Sequence, residues 1–85
     1  MRLTVLYFAR LREAVGRSRE QVDAPATVVN LGQLRGWLSG RGEPWRDAFE
    51  RIVPVRAAVD HVLCGDETPL HDGAEVAFFP PVTGG

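Results

Sequence analysis

The sequence has a single cysteine, Cys64, among its 85 residues, so an internal disulfide is excluded. With His61 and His71 this thiol makes too few soft ligands, at poor spacing, for a structural zinc site. A small buried thiol is the expected role for Cys64. Net charge is only −1, which argues against general binding to nucleic acid. No apolar run approaches the ~20 residues of a membrane span. The start, Met1-Arg2-Leu3-Thr4-Val5, runs straight into strand-like sequence without a signal-peptide pattern, and a cytoplasmic protein is expected. Gly40-Arg41-Gly42 lacks the lysine and the preceding strand of a phosphate-cradling loop. Asp60 beside His61, and Asp72 beside His71, read as turn and strand-end residues solvated by water rather than as acid–base pairs. Hydroxyls are few, and neither histidine has a clear Ser or Cys partner in sequence. No repeat, low-complexity tract or internal linker is present. A self-sufficient catalytic set is therefore missing, and a carrier or a substrate of other enzymes is the reading left.

What is present is enough for one domain with one modest core. The chain is 45% hydrophobic and 25% charged, and a chain of this length buries roughly 60% of the surface that its unfolded form exposes. Arg2 to Ala9 alternates as a strand, with Leu3, Val5 and Tyr7 on one face and Arg2, Thr4, Leu6 and Phe8 on the other. The second face starts polar and ends apolar. Either a loop covers Leu6 and Phe8, or a partner does, since contiguous exposed apolar patches mark interaction surfaces. Arg10 to Val15 makes at most a short helix closed by Gly16. Arg17 to Val22 is a weak strand ended by Asp23-Ala24-Pro25. Arg10, Arg12, Arg17 and Arg19, with Glu13 and Glu20 between them, read as a solvated rim.

Thr27 is the expected N-cap of the main helix, in which Val28, Leu31, Leu34 and Leu38, with Trp37 alongside, form one apolar face. Gly32 and Gly36 each cost that helix about 1 kcal/mol relative to Ala, so packing on the sheet must hold it. Ser39-Gly40-Arg41-Gly42 breaks it. Glu43 to Phe49 predicts a second short helix with Pro44 near its first turn, and Trp45 and Phe49, four apart, cover the core edge. After Pro54, Val55 to Leu63 reads as one strand stretch. Gly65-Asp66 and Leu70-His71-Asp72-Gly73 read as turns before the last strand. The whole predicts a two-layer α+β domain with a mixed sheet and one main helix packed on one face. Periodicity leaves open whether the first and last strands pair parallel or antiparallel.

The chain is organised around its end, Val76-Ala77-Phe78-Phe79-Pro80-Pro81-Val82-Thr83-Gly84-Gly85. Val76 and Phe78 point one way from the last strand, Ala77 and Phe79 the other. Pro80 and Pro81 lack N–H groups and have fixed φ, so the chain must leave the sheet there, stiff and extended. Gly84 and Gly85 carry no Cβ, leaving a bare backbone thread with a carboxylate at its tip. Pro80 to Gly85, fully extended, reaches roughly 20 Å, enough to place that carboxylate in another protein's pocket. The expected organisation is a domain over residues 1–79 and an extended tail over 80–85. A Cβ at Gly84 should clash in a narrow channel and bias φ.

Several stretches carry a family resemblance: Leu6-Tyr7-Phe8-Ala9-Arg10 with Arg12-Glu13 and Val15-Gly16, then Ala57-Ala58-Val59, then Pro69-Leu70 with Asp72-Gly73 and Glu75 to Gly85. Phe78 to Gly85 is the most specific of them. In these the chain resembles the ubiquitin-like sulfur carriers that form the small subunit of molybdopterin synthase. The resemblance implies a β-grasp fold like that of ubiquitin, with the first and last strands as parallel neighbours at the centre. It implies a carrier that binds no cofactor of its own and leaves catalytic residues to a large subunit. An ATP-dependent activating enzyme would adenylate Gly85, and a sulfurtransferase would supply sulfur for a C-terminal thiocarboxylate. The large subunit, in a heterotetramer with two copies of each chain, would use it to convert cyclic pyranopterin monophosphate into molybdopterin. Val82, Thr83 and Gly84, with Pro80 and Pro81, would thread the partner's channel. The resemblance matches Phe8, Leu63 and Phe79 to the contact with the large subunit. Asp60-His61 departs from a familiar Asn-Gln pair, and Ala74 stands where an acidic residue is common. The rivals are a thiamine-type sulfur carrier, a ubiquitin-like modifier joined through Gly85 to lysines of other proteins, and a plain binding module with an inert tail.

Overall fold

The structure, a computed structural model, describes residues 1–81. Its elements are β1 (Arg2–Tyr7), α1 (Ala9–Val15), β2 (Arg19–Asp23), α2 (Leu31–Ser39), α3 (Trp45–Arg51), β3 (Arg56–Val59), β4 (Val62–Cys64) and β5 (Glu75–Phe79). The strands form one sheet in the order β2-β1-β5-β3-β4. β1 and β5 run parallel, and the remaining neighbours are antiparallel. This is the β-grasp arrangement, with the first and last strands adjacent inside the sheet.

Alternation sets the core. Leu3, Val5 and Tyr7 of β1, Ala57 and Val59 of β3, and Val76 and Phe78 of β5 are buried together with Leu11, Leu31, Leu34, Leu38, Ala48 and Phe49 of the helices. All three helices therefore cover the same face. Phe78 is the centrepiece: it lies edge-on to Phe49, ring centroids 5.2 Å apart, and stacks with Tyr7 at 6.4 Å. Aromatic pairs in these geometries add about 0.5–1.5 kcal/mol beyond their burial.

The chain departs from the sequence reading at several local points. β1 ends at Tyr7, not Ala9, because Phe8 caps α1 and Ala9 already has φ +52°. Gly16 closes α1 as expected, left-handed at φ +85°, where a Cβ is disfavoured. The N-cap of α2 is Asn30 and not Thr27. The Asn30 side chain accepts from the Gln33 N–H at 2.8 Å, and the Gln33 side chain accepts from the Asn30 N–H at 3.2 Å. This reciprocal capping box satisfies two orphan donors at once, an advantage a lone Thr27 hydroxyl lacks. Further along, Gly32 lies against the loop before β5: a Cβ there would meet the Asp66 Cβ at 3.0 Å, whereas one at Gly36 would meet open space.

The stretch from Val55 to Leu63 is not one strand but a hairpin. Asp60 and His61 take φ +49° and +71°, the left-handed pair that a two-residue turn requires. β3 and β4 then pair as Ala57 with Cys64, Ala58 with Leu63, and Val59 with Val62. The sheet thus has five strands where four were expected. Cys64 is half-buried against the core rather than enclosed by it.

Asn30→Ala should cost about 1 kcal/mol in urea unfolding, while Thr27→Ala should stay within about 0.5 kcal/mol of the parent. The reverse order would restore Thr27 as the cap.

Candidate functional site

No pocket opens among the described residues, so the candidate site is a surface: the sheet face away from the helices. Its side chains follow from the register. Leu6 lies beside Ala77, Ala77 beside Ala58, and Ala58 beside Leu63, which makes one apolar row across four strands. One step towards the end of β5, Phe8 follows β1 and its N–H donates to the Phe78 carbonyl at 3.1 Å. Phe79 stands opposite Arg56. Phe8 is 46% exposed, Leu63 is 61% exposed and Phe79 is half-buried. The three residues named from sequence therefore share one face, with Leu6, Ala58 and Ala77 between them. Of the two residues whose cover alternation left open, Phe8 is exposed and Leu6 half-buried, with no loop over Phe8 among the described residues.

β5 ends beside this patch. Pro80 and Pro81 follow it, half-buried and outside regular structure, as the missing N–H groups demand. Val82, Thr83, Gly84 and Gly85 lie outside the described residues.

Two polar clusters escaped the sequence reading. Glu20 is not part of a solvated rim: its side chain is only 8% exposed. It accepts from the Tyr7 hydroxyl at 2.7 Å and from Arg41 at 3.0 Å, with Arg17 at 3.3 Å. Arg41 lies 4.0 Å above the Trp45 ring, whose N–H donates to the Tyr7 hydroxyl at 3.2 Å. Burial by itself would raise the Glu20 pKa. The hydrogen bonds from Arg41 and Tyr7 and the charges of Arg41 and Arg17 outweigh it, so the carboxyl titrates below its ordinary range. Burial, then the Glu20 carboxylate, pushes the Tyr7 hydroxyl well above its ordinary range. The available signal was parity: Glu20 stands opposite Val5 and so shares the core-facing side of the sheet.

The second cluster, read from sequence as residues solvated by water, joins the His71 ring to the Asp60 carboxylate at 2.7 Å and to the Asp72 carbonyl at 3.0 Å. Asp60 also accepts from the Glu75 N–H at 3.0 Å, joining the β3–β4 turn to the start of β5. The Glu75 N–H, then His71, lowers the Asp60 pKa; Asp60, then the Asp72 carbonyl, raises that of His71. Both groups are exposed, at the opposite end of β5 from the apolar patch.

A five-stranded mixed sheet in this order, helices on one face and an apolar patch on the other, defines a ubiquitin-like β-grasp protein. Solved structures agree. SAMP1 from Haloferax volcanii superposes with a TM-score of 0.77 at 23% identity, covering 100% of both chains. A chain in the protein–protein complex of subunits 1 and 2 of the molybdopterin-converting factor from Helicobacter pylori superposes at 0.67, with 24% identity and 100% of both chains covered. The ThiS family profile matches residues 5–85, and the chain belongs to that family. It is 42% identical over 83 residues to the molybdopterin synthase sulfur carrier subunit of Escherichia coli (strain K12), covering 98% of this chain and 99% of that relative.

Glu20→Ala should destabilise the fold by about 1–3 kcal/mol, because the Tyr7 hydroxyl and Arg41 lose their acceptor; chemical denaturation measures it. The Asp60–His71 pair gives a signed pH dependence. The raised His71 pKa contributes stability that is full below the ordinary 6.5 and lost as pH rises through the folded value. The lowered Asp60 pKa contributes stability that is full above the ordinary 3.8 and lost as pH falls through the folded value. The pair therefore stabilises most between those two values, and His71→Gln should flatten the decline in melting temperature above pH 6.5.

Proposed function

We propose that this chain is the sulfur carrier subunit of molybdopterin synthase. The observation that carries the reading is the full-length similarity, 42% identity over 83 residues, to a protein of that name. The fold supports it in physical terms. A strand fixed on both sides leads into Pro80-Pro81 and then to Val82-Thr83-Gly84-Gly85, beside an exposed apolar surface that a partner can cover.

The chemistry belongs to the Gly85 carboxylate, a poor acylating group until its oxygen becomes part of a good leaving group. In an activating enzyme this oxygen attacks the α-phosphorus of ATP and expels pyrophosphate, giving an acyl-adenylate. The persulfide sulfur of a sulfurtransferase attacks the acyl carbon and displaces AMP, and a thiol then reduces the resulting acyl disulfide, leaving a thiocarboxylate on Gly85. The tail, residues 80–85, threads the channel of the large subunit, where Gly84 leaves room for the backbone. There the thiocarboxylate sulfur bonds to a carbon of the pterin precursor and displaces an oxygen substituent, and water cleaves the acyl–sulfur bond of the resulting thioester, leaving the sulfur on the pterin and a carboxylate on Gly85. A dithiolene holds two sulfurs, so two carriers are consumed per molybdopterin, in keeping with a heterotetramer of two copies of each chain. Phe8, Leu63 and Phe79 form the apolar contact with the large subunit. The Helicobacter pylori relative was solved as a complex of subunits 1 and 2, which supports this pairing.

Thiocarboxylated protein mixed with the large subunit and cyclic pyranopterin monophosphate should yield molybdopterin. Deletion of Gly84-Gly85 should abolish the product while the melting curve stays unchanged; retained product would contradict the role. Phe79→Asp should weaken binding to the large subunit by about 30-fold or more, the loss expected of an interface anchor. A cooperative melt should persist, because Phe79 faces away from the helices. A molten variant would place Phe79 in the core.

A further inference from the structure

The outer sheet face is electrically divided along its length. At the end remote from the tail its charges are balanced: Arg2 pairs with Asp23 at 3.6 Å, and Glu75 faces His61 at 3.8 Å. At the tail end the face carries, among the described residues, two arginines and no carboxylate side chain. Arg19 stands opposite Leu6 on β2, and Arg56 stands opposite Phe79 on β3. Each shares its neighbour's face, because directly opposed residues in a sheet point the same way. Both are exposed. Neither has a carboxylate partner among the described residues; of the other arginines that lack one, Arg10 and Arg12 lie on α1 and Arg46 on α3, in the helical layer and off this face.

We infer that Arg19 and Arg56 are specificity determinants of the docking face: they select a large-subunit surface with an apolar centre and a carboxylate on either side. This rests on the carrier reading and adds to it the charge pattern of the partner. The two arginines bracket the row of Leu6, Ala77 and Phe79 from opposite flanks. Three strand spacings and one two-residue step separate their Cα atoms, roughly 16 Å. Exposed rim charges of this kind act mainly on encounter and orientation, while the buried anchors set the lifetime of the complex. The chain as a whole is at −1, so net charge supplies no attraction to an acidic surface. A local pair of unpartnered guanidiniums supplies it, and their forked donors match carboxylates well.

The test measures association and dissociation of full-length protein with the purified large subunit over a range of salt. The variants are Arg19→Glu/Arg56→Glu, Arg19→Gln/Arg56→Gln and, as a control, Arg46→Glu on α3, which is exposed and lies in the helical layer. The charge-reversed variant should associate about tenfold or more slowly at low ionic strength, with dissociation nearly unchanged. The Gln variant should fall between it and the parent, and the control should match the parent. Thermal melts of all variants should coincide. Parent-like association and salt dependence in the reversed variant would overturn the inference and leave the carrier reading intact. A slowing no greater, on a logarithmic scale, than twice that of Arg46→Glu would also overturn it, because the reversed variant changes two charges and the control one, and the effect would then be one of net charge. Failure of the parent protein to bind the large subunit would overturn both.

Discussion

β5 is hydrogen-bonded on both sides, parallel to β1 and antiparallel to β3, and the rest of the molecule follows from that position. A parallel pair cannot be closed by a tight turn, so the chain between β1 and β5 must travel out and return. It does so by adding β2 outside β1, crossing the sheet with α2 and α3, and adding the β3–β4 hairpin on the far side. The inward faces of β1 and β5 collect the core, with Phe78 between Tyr7 and Phe49. The outward faces lie away from the helices and form the docking surface proposed above. A strand locked in this way also gives the C-terminal residues a fixed point of departure, which a carrier needs if its tip is to enter more than one enzyme.

The polar clusters serve the same frame. Glu20 lies on the core-facing side of β2 and would be costly there without donors. The Tyr7 hydroxyl, Arg41 and Arg17 supply them, and in doing so tie β1, β2 and the α2–α3 loop together. At the other end, Asp60 links the β3–β4 turn to β5 and to His71. Neither cluster touches the apolar outer face.

Much of this was legible in the residues themselves. Period-two alternation placed Leu3, Val5 and Tyr7 inside and Phe8 outside, and the Leu31-Leu34-Leu38 stripe located α2. Phe79 was placed opposite Phe78 by the same rule. The parallel pairing was not legible, since alternation is identical for both directions; it came from the family resemblance. The hairpin was hidden because Asp60-His61 reaches left-handed φ without the glycine that usually marks such a turn. Asn30 is hidden in the sequence because Thr27, another good capping residue, precedes the same apolar face; the local sign of the true cap is Gln33, three residues on, which completes the capping box. Of the partners of Glu20 only Arg17 is local, three residues away; Tyr7 and Arg41 lie 13 and 21 residues away, a distance at which local pattern is silent.

The central claim is that Gly85 carries sulfur. Intact-mass analysis of the full chain, incubated with ATP, its activating enzyme and a sulfur source, tests it most directly, with fragmentation to locate any change. The account predicts the replacement of one oxygen by one sulfur, confined to Gly85. An unchanged mass, under conditions in which a known carrier is converted, would contradict it.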